Sequence, residues 1–82
     1  MNIKLIERTI IYNFDKKVKS LKLFGEIFVN NNKNNCYLII DGQKNELCTE
    51  LKLSKKQKAN NELQIKLIET NPITNLNSMF YE

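Results

Sequence analysis

The chain has no histidine and no tryptophan, one arginine (Arg8), one proline, two glycines and two cysteines in 82 residues. Without histidine, no side chain titrates near neutral pH to serve as a general base, and the commonest metal ligand is missing. Gly25 and Gly42 stand far apart and form no phosphate-binding loop. Ser20, Ser54 and Ser78 lie outside any nucleophile-elbow pattern. Cys36 and Cys48 have eleven residues between them and no CxxC spacing, which does not suit zinc. They read as small apolar strand residues, with a disulfide as the alternative. Asp15, Glu26, Asp41, Glu46 and Glu50 form no acid–base motif. The expectation is a non-catalytic protein with no cofactor and no bound metal.

No apolar run approaches the roughly 18 residues of a membrane span. The opening Met1–Phe14 carries Lys4, Glu7 and Arg8 and is followed by no small-residue cleavage site, so it does not read as a secretory signal. A cytoplasmic location without membrane contact is expected. At 9.7 kDa the chain is one small domain, and it folds only if nearly all its apolar residues share one core. What is abundant is asparagine, thirteen residues, with lysine and isoleucine and a net charge of +4. All three residue types have A/T-rich codons, and genome composition is the simplest account of the bias.

Hydrophobic spacing predicts the elements. Ile3–Phe14 reads as a strand whose alternation slips between Leu5 and Ile6, as a bulge near Glu7–Arg8 or a doubly buried central strand would require. Leu21-Lys22-Leu23 alternates as a second strand. Phe24, Ile27 and Phe28 fall on one face of a short helix that Asn30-Asn31-Asn32 ends. Cys36–Ile40 is a buried strand followed by an Asp41-Gly42 turn. Leu47, Thr49, Leu51 and Leu53 alternate as an extended segment, Ser54–Glu62 reads as a lysine-rich loop, and Leu63, Ile65 and Leu67 alternate as a strand stopped by Asn71-Pro72. Ile73, Leu76, Met79 and Phe80 recur at helical spacing. The expected core is Ile10, Tyr12, Leu21, Leu23, Ile27, Phe28, Leu38, Ile40, Leu51, Ile65 and Leu67.

Leu38-Ile39-Ile40-Asp41-Gly42-Gln43-Lys44, then a polar segment and Leu63-Gln64-Ile65-Lys66-Leu67, resembles the middle strand, turn and last strand of the ubiquitin-like β-grasp. The resemblance covers residues 10–69 by pattern and length. It implies an α+β fold, with a small sheet in the order strand-strand-helix-strand-strand-strand and a C-terminal helix. A hairpin would come first, with the helix crossing it. Ubiquitin's activity does not follow. Of the three places forming its partner-binding patch, Ile39 matches, whereas Lys66 and Asp15-Lys16 are charged, and the chain ends Phe80-Tyr81-Glu82 rather than in a diglycine.

A second resemblance lies in Ile65-Lys66-Leu67-Ile68-Glu69 followed by Ile73-Thr74-Asn75-Leu76 and Met79-Phe80. These segments resemble the start of the surface-protein (BspA-like) leucine-rich repeats of about 26 residues found in A/T-rich protist proteins. Leu23-Phe24-Gly25, Phe28-Val29 and Asn31-Asn32-Lys33 resemble the stretch that precedes such repeats. The cysteine that closes the repeat pattern would fall beyond Glu82. The resemblance implies a β-grasp-like domain over residues 1–70, with residues 71–82 as a C-terminal helix that starts a repeat. Its function would be a protein–protein interaction or capping module, whose partner is another protein or its own C-terminal repeat array. Met79, Phe80 and Tyr81 would form the docking surface, since the first repeat of a solenoid exposes an apolar edge that needs a cover.

The alternative is a free-standing small basic domain binding RNA, for example on a ribosome. Lys52, Lys55, Lys56 and Lys58 fall within seven residues and are candidate phosphate contacts, and Lys16, Lys17, Lys19 and Lys22 form a second cluster. Neither cluster contains an arginine, and no aromatic residue sits within the Lys52–Lys58 segment to stack a base.

Overall fold

The computed structural model describes residues 5–73 and 79–80. Six strands and two short helices follow in the order β1 (Ile6–Asn13), β2 (Ser20–Lys22), α1 (Glu26–Asn32), β3 (Cys36–Ile40), β4 (Gln43–Glu46), β5 (Glu50–Lys52), α2 (Lys55–Asn60) and β6 (Glu62–Glu69). The fold is α+β. Four strands form an antiparallel sheet in the order β1-β6-β3-β4, and β2 pairs with β5 in a separate two-stranded ribbon.

Strand alternation decides what the large sheet buries. Registers such as Ile10↔Ile65, Ile40↔Ile65 and Leu38↔Leu67 put Ile10, Leu38, Ile40, Ile65 and Leu67 on one face. Leu21, Leu23, Phe24, Phe28, Val29, Leu47 and Leu53 pack against that face from the ribbon, α1 and the connections between them. The Phe24 and Phe28 rings meet at 5.5 Å in a tilted arrangement. The other face carries Tyr37, Ile39 and Lys66, half-buried, exposed Lys44 and buried Ile68, and the molecule is only 15 Å along its shortest axis.

Several expectations change. The first two strands form no hairpin: β1 lies against β6, and β2 lies against β5. Three-residue β2 has too few ladder positions to hold β1, whereas β6 matches it over eight consecutive pairs. Those pairs contain no bulge, and β1 is an edge strand rather than a central one. Its slip of alternation arises because Leu5, Ile6 and Ile11 are exposed.

The helix is also rotated from its predicted phase. Phe24 is buried but precedes α1, so the inward face is Phe28, Val29 and Asn32, and Ile27 is 47% exposed rather than core. The asparagine run does not stop the helix before Asn32. That side chain is fully buried, and its Nδ2 donates to the Phe28 carbonyl at 2.9 Å. Ile10, Tyr12 and Leu51 are half-buried at the margin of the core, and apart from Ile27 the other expected core residues are buried.

Of the segment expected to be strand or extended over 47–53, Glu50–Lys52 is strand, and an additional strand, β4, precedes it. Asp41 and Gly42 both take positive φ (51° and 79°), the conformation of a two-residue hairpin turn, and β4 returns along β3. The expected lysine-rich loop is helix α2. Ser54 Oγ accepts from the Gln57 N–H at 3.2 Å and Gln57 Oε1 accepts from the Ser54 N–H at 2.8 Å, a reciprocal cap at its first turn. Asn61, in the left-handed region, ends it. Of the expected C-terminal helix, residues 74–78 and 81–82 lie outside the described residues.

Removing buried atoms separates core from surface. Phe28→Ala is expected to cost about 3–5 kcal/mol. Ile27→Ala, on the exposed side of the same helix, is expected to change stability by less than about 0.5 kcal/mol. Urea midpoints of the two variants test the assignment of the inward face.

Candidate functional site

Two lysine clusters far apart in sequence are brought together by the β2–β5 ribbon. Ser20 lies opposite Lys52 and Lys22 opposite Glu50, and the ribbon continues with the Leu53 N–H donating to the Lys19 carbonyl at 2.9 Å and the Leu23 N–H donating to the Thr49 carbonyl at 2.7 Å. Lys16 and Lys17 lead into the first strand of this ribbon, and Lys55, Lys56 and Lys58 follow the second on α2. Eight of the twelve lysines therefore belong to one ribbon and its flanks. Asp15 Oδ1 accepts from the Lys17 N–H at 3.0 Å, shaping the approach to it. Gln57 Nε2 donates to Asp41 Oδ2 at 2.7 Å, so α2 is pinned to the β3–β4 turn and its lysines have a fixed support.

The expected docking residues are placed differently. Met79 is half-buried against the core, and its carbonyl accepts from the Gly25 N–H at 2.8 Å, just ahead of α1. Phe80 stacks on Phe24 with centroids 5.9 Å apart yet remains 49% exposed. Tyr81 lies outside the described residues. Met79 and Phe80 thus lie at the N-terminal end of α1, where Ile27 is also exposed. Sequence spacing missed Ile27 as a surface residue because its helical phase was set by Phe24, which is not in the helix.

Among the described residues, the polar groups drawn inside are structural. Glu69 is buried and accepts from Arg8 Nε at 2.6 Å, across the β1–β6 ladder. Cys36 and Cys48 are both free thiols. Burial, and then the Glu69 carboxylate, push Cys36 up to about 11, and burial also raises Cys48 despite an opposing backbone hydrogen bond at Glu50. Both thiols stay protonated at neutral pH and are poor nucleophiles. Tyr12, whose hydroxyl donates to the Leu23 carbonyl at 2.6 Å, is pushed up to about 12, by burial first and by Cys48 second. A groove of about 520 Å³ between α1 and the β4–β5 connection is lined by Glu26, Lys33, Glu46 and Cys48 among others, with no convergent catalytic set.

In comparisons with known proteins, no protein family, curated protein or solved structure matches this chain.

The raised acids set an alkaline limit. A group that holds its proton more tightly when folded adds stability below its unfolded pKa and loses it as pH rises toward the folded one. Stability is expected to fall from pH 9, where an unfolded Cys36 ionises, to about pH 12. Tyr12→Phe should lower stability at neutral pH by about 1 kcal/mol through the lost hydrogen bond. It should also shrink the fall above pH 10. Urea midpoints measured from pH 7 upward test both.

Proposed function

We propose that this chain is a non-catalytic protein-interaction module that caps the start of a leucine-rich repeat array. The supporting observation is the return of Met79–Phe80 to the N-terminal end of α1. Met79 anchors the segment through the Gly25 N–H, while Phe80 and Ile27 leave apolar surface exposed beside it. A solenoid's first repeat has an apolar edge that needs such a surface. The free Cys36 and Cys48 thiols fit a reducing, cytoplasmic setting.

The first test is the intact mass of the native gene product. A mass well above 9.7 kDa, with repeats after Glu82, is the expected result, and a product of 9.7 kDa overturns the cap. In the longer product, Ile27→Lys should speed hydrogen exchange in the first repeat by tenfold or more. In the isolated chain it should shift stability by less than about 0.5 kcal/mol. Unchanged exchange in the repeat would remove Ile27 from the docking surface.

The joined lysine clusters favour a second reading, a surface for the phosphate backbone of RNA. Lys52, Lys55, Lys56 and Lys58 would act with Lys16, Lys17, Lys19 and Lys22 as one basic patch, consistent with association with a ribosome. Affinity for a single-stranded RNA oligonucleotide, followed by fluorescence anisotropy, should then fall steeply with salt. Replacing Lys52 and Lys55 by Gln should flatten the slope of log K against log salt by roughly 1.4, at about 0.7 per contact. Binding that is indifferent to salt would exclude this use of the patch.

A further inference from the structure

The two edges of the large sheet differ. β4, Gln43–Glu46, is short and polar, with Lys44 and Glu46 exposed, as protected edges are. β1 spans eight residues without proline, lysine or bulge, and leaves Ile6 46% and Ile11 54% exposed. Among the described residues, only β6 pairs with it.

The direction of its free backbone groups follows from one hydrogen bond. The Phe14 N–H donates to the Asn61 carbonyl at 3.0 Å, continuing the β1–β6 register by one pair. In an antiparallel ladder, alternate residues turn both backbone groups to the partner. Ile6, Arg8, Ile10 and Tyr12 therefore face β6, and Glu7, Thr9, Ile11 and Asn13 direct their N–H and C=O groups to the open edge.

We propose that β1 pairs antiparallel with β1 of a second copy of this chain, about a two-fold axis at Ile10, so that two four-stranded sheets become one of eight strands. This register sets Glu7 against Asn13 of the second copy and Thr9 against Ile11, so all four outward-facing residues find partners. On the core face Ile10 meets Ile10, and Arg8 meets Tyr12, a cation against an aromatic ring. No like charges are opposed. A two-fold axis at Arg8 would oppose two guanidinium groups, and one at Glu7 two carboxylates.

Charge selects the antiparallel direction too. The chain carries +4, and the segment Asp15-Lys16-Lys17 leaves the C-terminal end of β1 toward the lysine-rich ribbon. Antiparallel pairing points those ends in opposite directions. Parallel pairing would set them side by side. This surface is distinct from the N-terminal end of α1, so the proposal stands or falls apart from the capping role.

The test combines sedimentation equilibrium of the 82-residue chain over a concentration series with amide hydrogen exchange by NMR. The expected result is a mass that rises to twice 9.7 kDa, with the Glu7, Thr9, Ile11 and Asn13 amides slowed at least tenfold as the dimer forms. The Ile10 and Tyr12 amides, already bonded to β6, should be protected at every concentration. Thr9→Pro removes one outward N–H without touching the β6 ladder and should abolish the doubling. Ile11→Lys, a side-chain change on the exposed face, should weaken it at least tenfold and keeps the test valid if the proline variant does not fold. A monomer throughout, or a dimer in which those four amides exchange as fast as in the monomer, overturns the proposal. So does protection of the four amides by another protein's strand without doubling of the mass.

Discussion

The large sheet depends on β6. It lies between β1, which pairs with it along its whole length, and β3, which pairs with it along residues 65–69. Remove it and β1 has no neighbour among the described residues, while β3 and β4 are left as an isolated hairpin, which is marginal in water. Every core residue on that face of the sheet is positioned by these two ladders. The cost is topological. The first strand must wait for the last, and Ile6↔Glu69 closes a loop of most of the chain. Loop-closure entropy of that kind has to be met before the contacts that offset it exist, so local structure has to carry the early steps. The Asp41-Gly42 hairpin and the capped α2 helix are the local pieces available.

The asparagine-rich stretch after α1 holds β6 in place at its far end. The Asn35 carbonyl accepts from the Thr70 N–H at 2.8 Å, the Asn71 N–H at 3.1 Å and the Thr70 hydroxyl at 3.2 Å. Asn71 Nδ2 reaches the Asn34 carbonyl at 3.0 Å, and Asn35 Nδ2 donates to Asn32 Oδ1 at 3.0 Å. The abundance of asparagine in the sequence does not explain why Asn32 is buried with its amide and carbonyl oxygen both engaged. At this site the residue does what leucine could not, satisfying a helix carbonyl and a turn amide in the interior.

What was legible in the sequence was what depends on near neighbours. A continuous apolar run marked β3, alternation marked β6, Asp41-Gly42 marked the turn, and most of the core could be named. The capping box Ser54–Gln57 was equally local, but four lysines nearby made the segment look like a solvated loop. The phase of α1 was not legible from its apolar residues alone, because Phe24 is buried from outside the helix and Ile27 is therefore carried outward. Partner choice was less accessible still. Nothing in Ile6–Asn13 states that it lies at an edge, and nothing in the lysine clusters states that residues 19 and 53 are neighbours. Those are consequences of registers spanning more than thirty residues.

The same thinness that made the registers decisive also bears on function. A domain of this size buries a modest share of its surface, and a sheet covered on one face uses only half of its side-chain positions for the core. Ile6, Ile11, Ile27 and Phe80 remain outside, at the β1 edge and beside α1 rather than scattered evenly. Any molecule that covers either place binds the folded state and not the unfolded one, so association and folding stability share one equilibrium. The lysine-rich ribbon works against this by self-repulsion, more strongly at low salt. Salt would therefore act with opposite sign on the two proposed uses of the surface: it screens the lysines and would loosen contacts to a phosphate backbone, while it would ease the approach of two like-charged chains. That opposition follows from the joining of the two lysine clusters by β2 and β5.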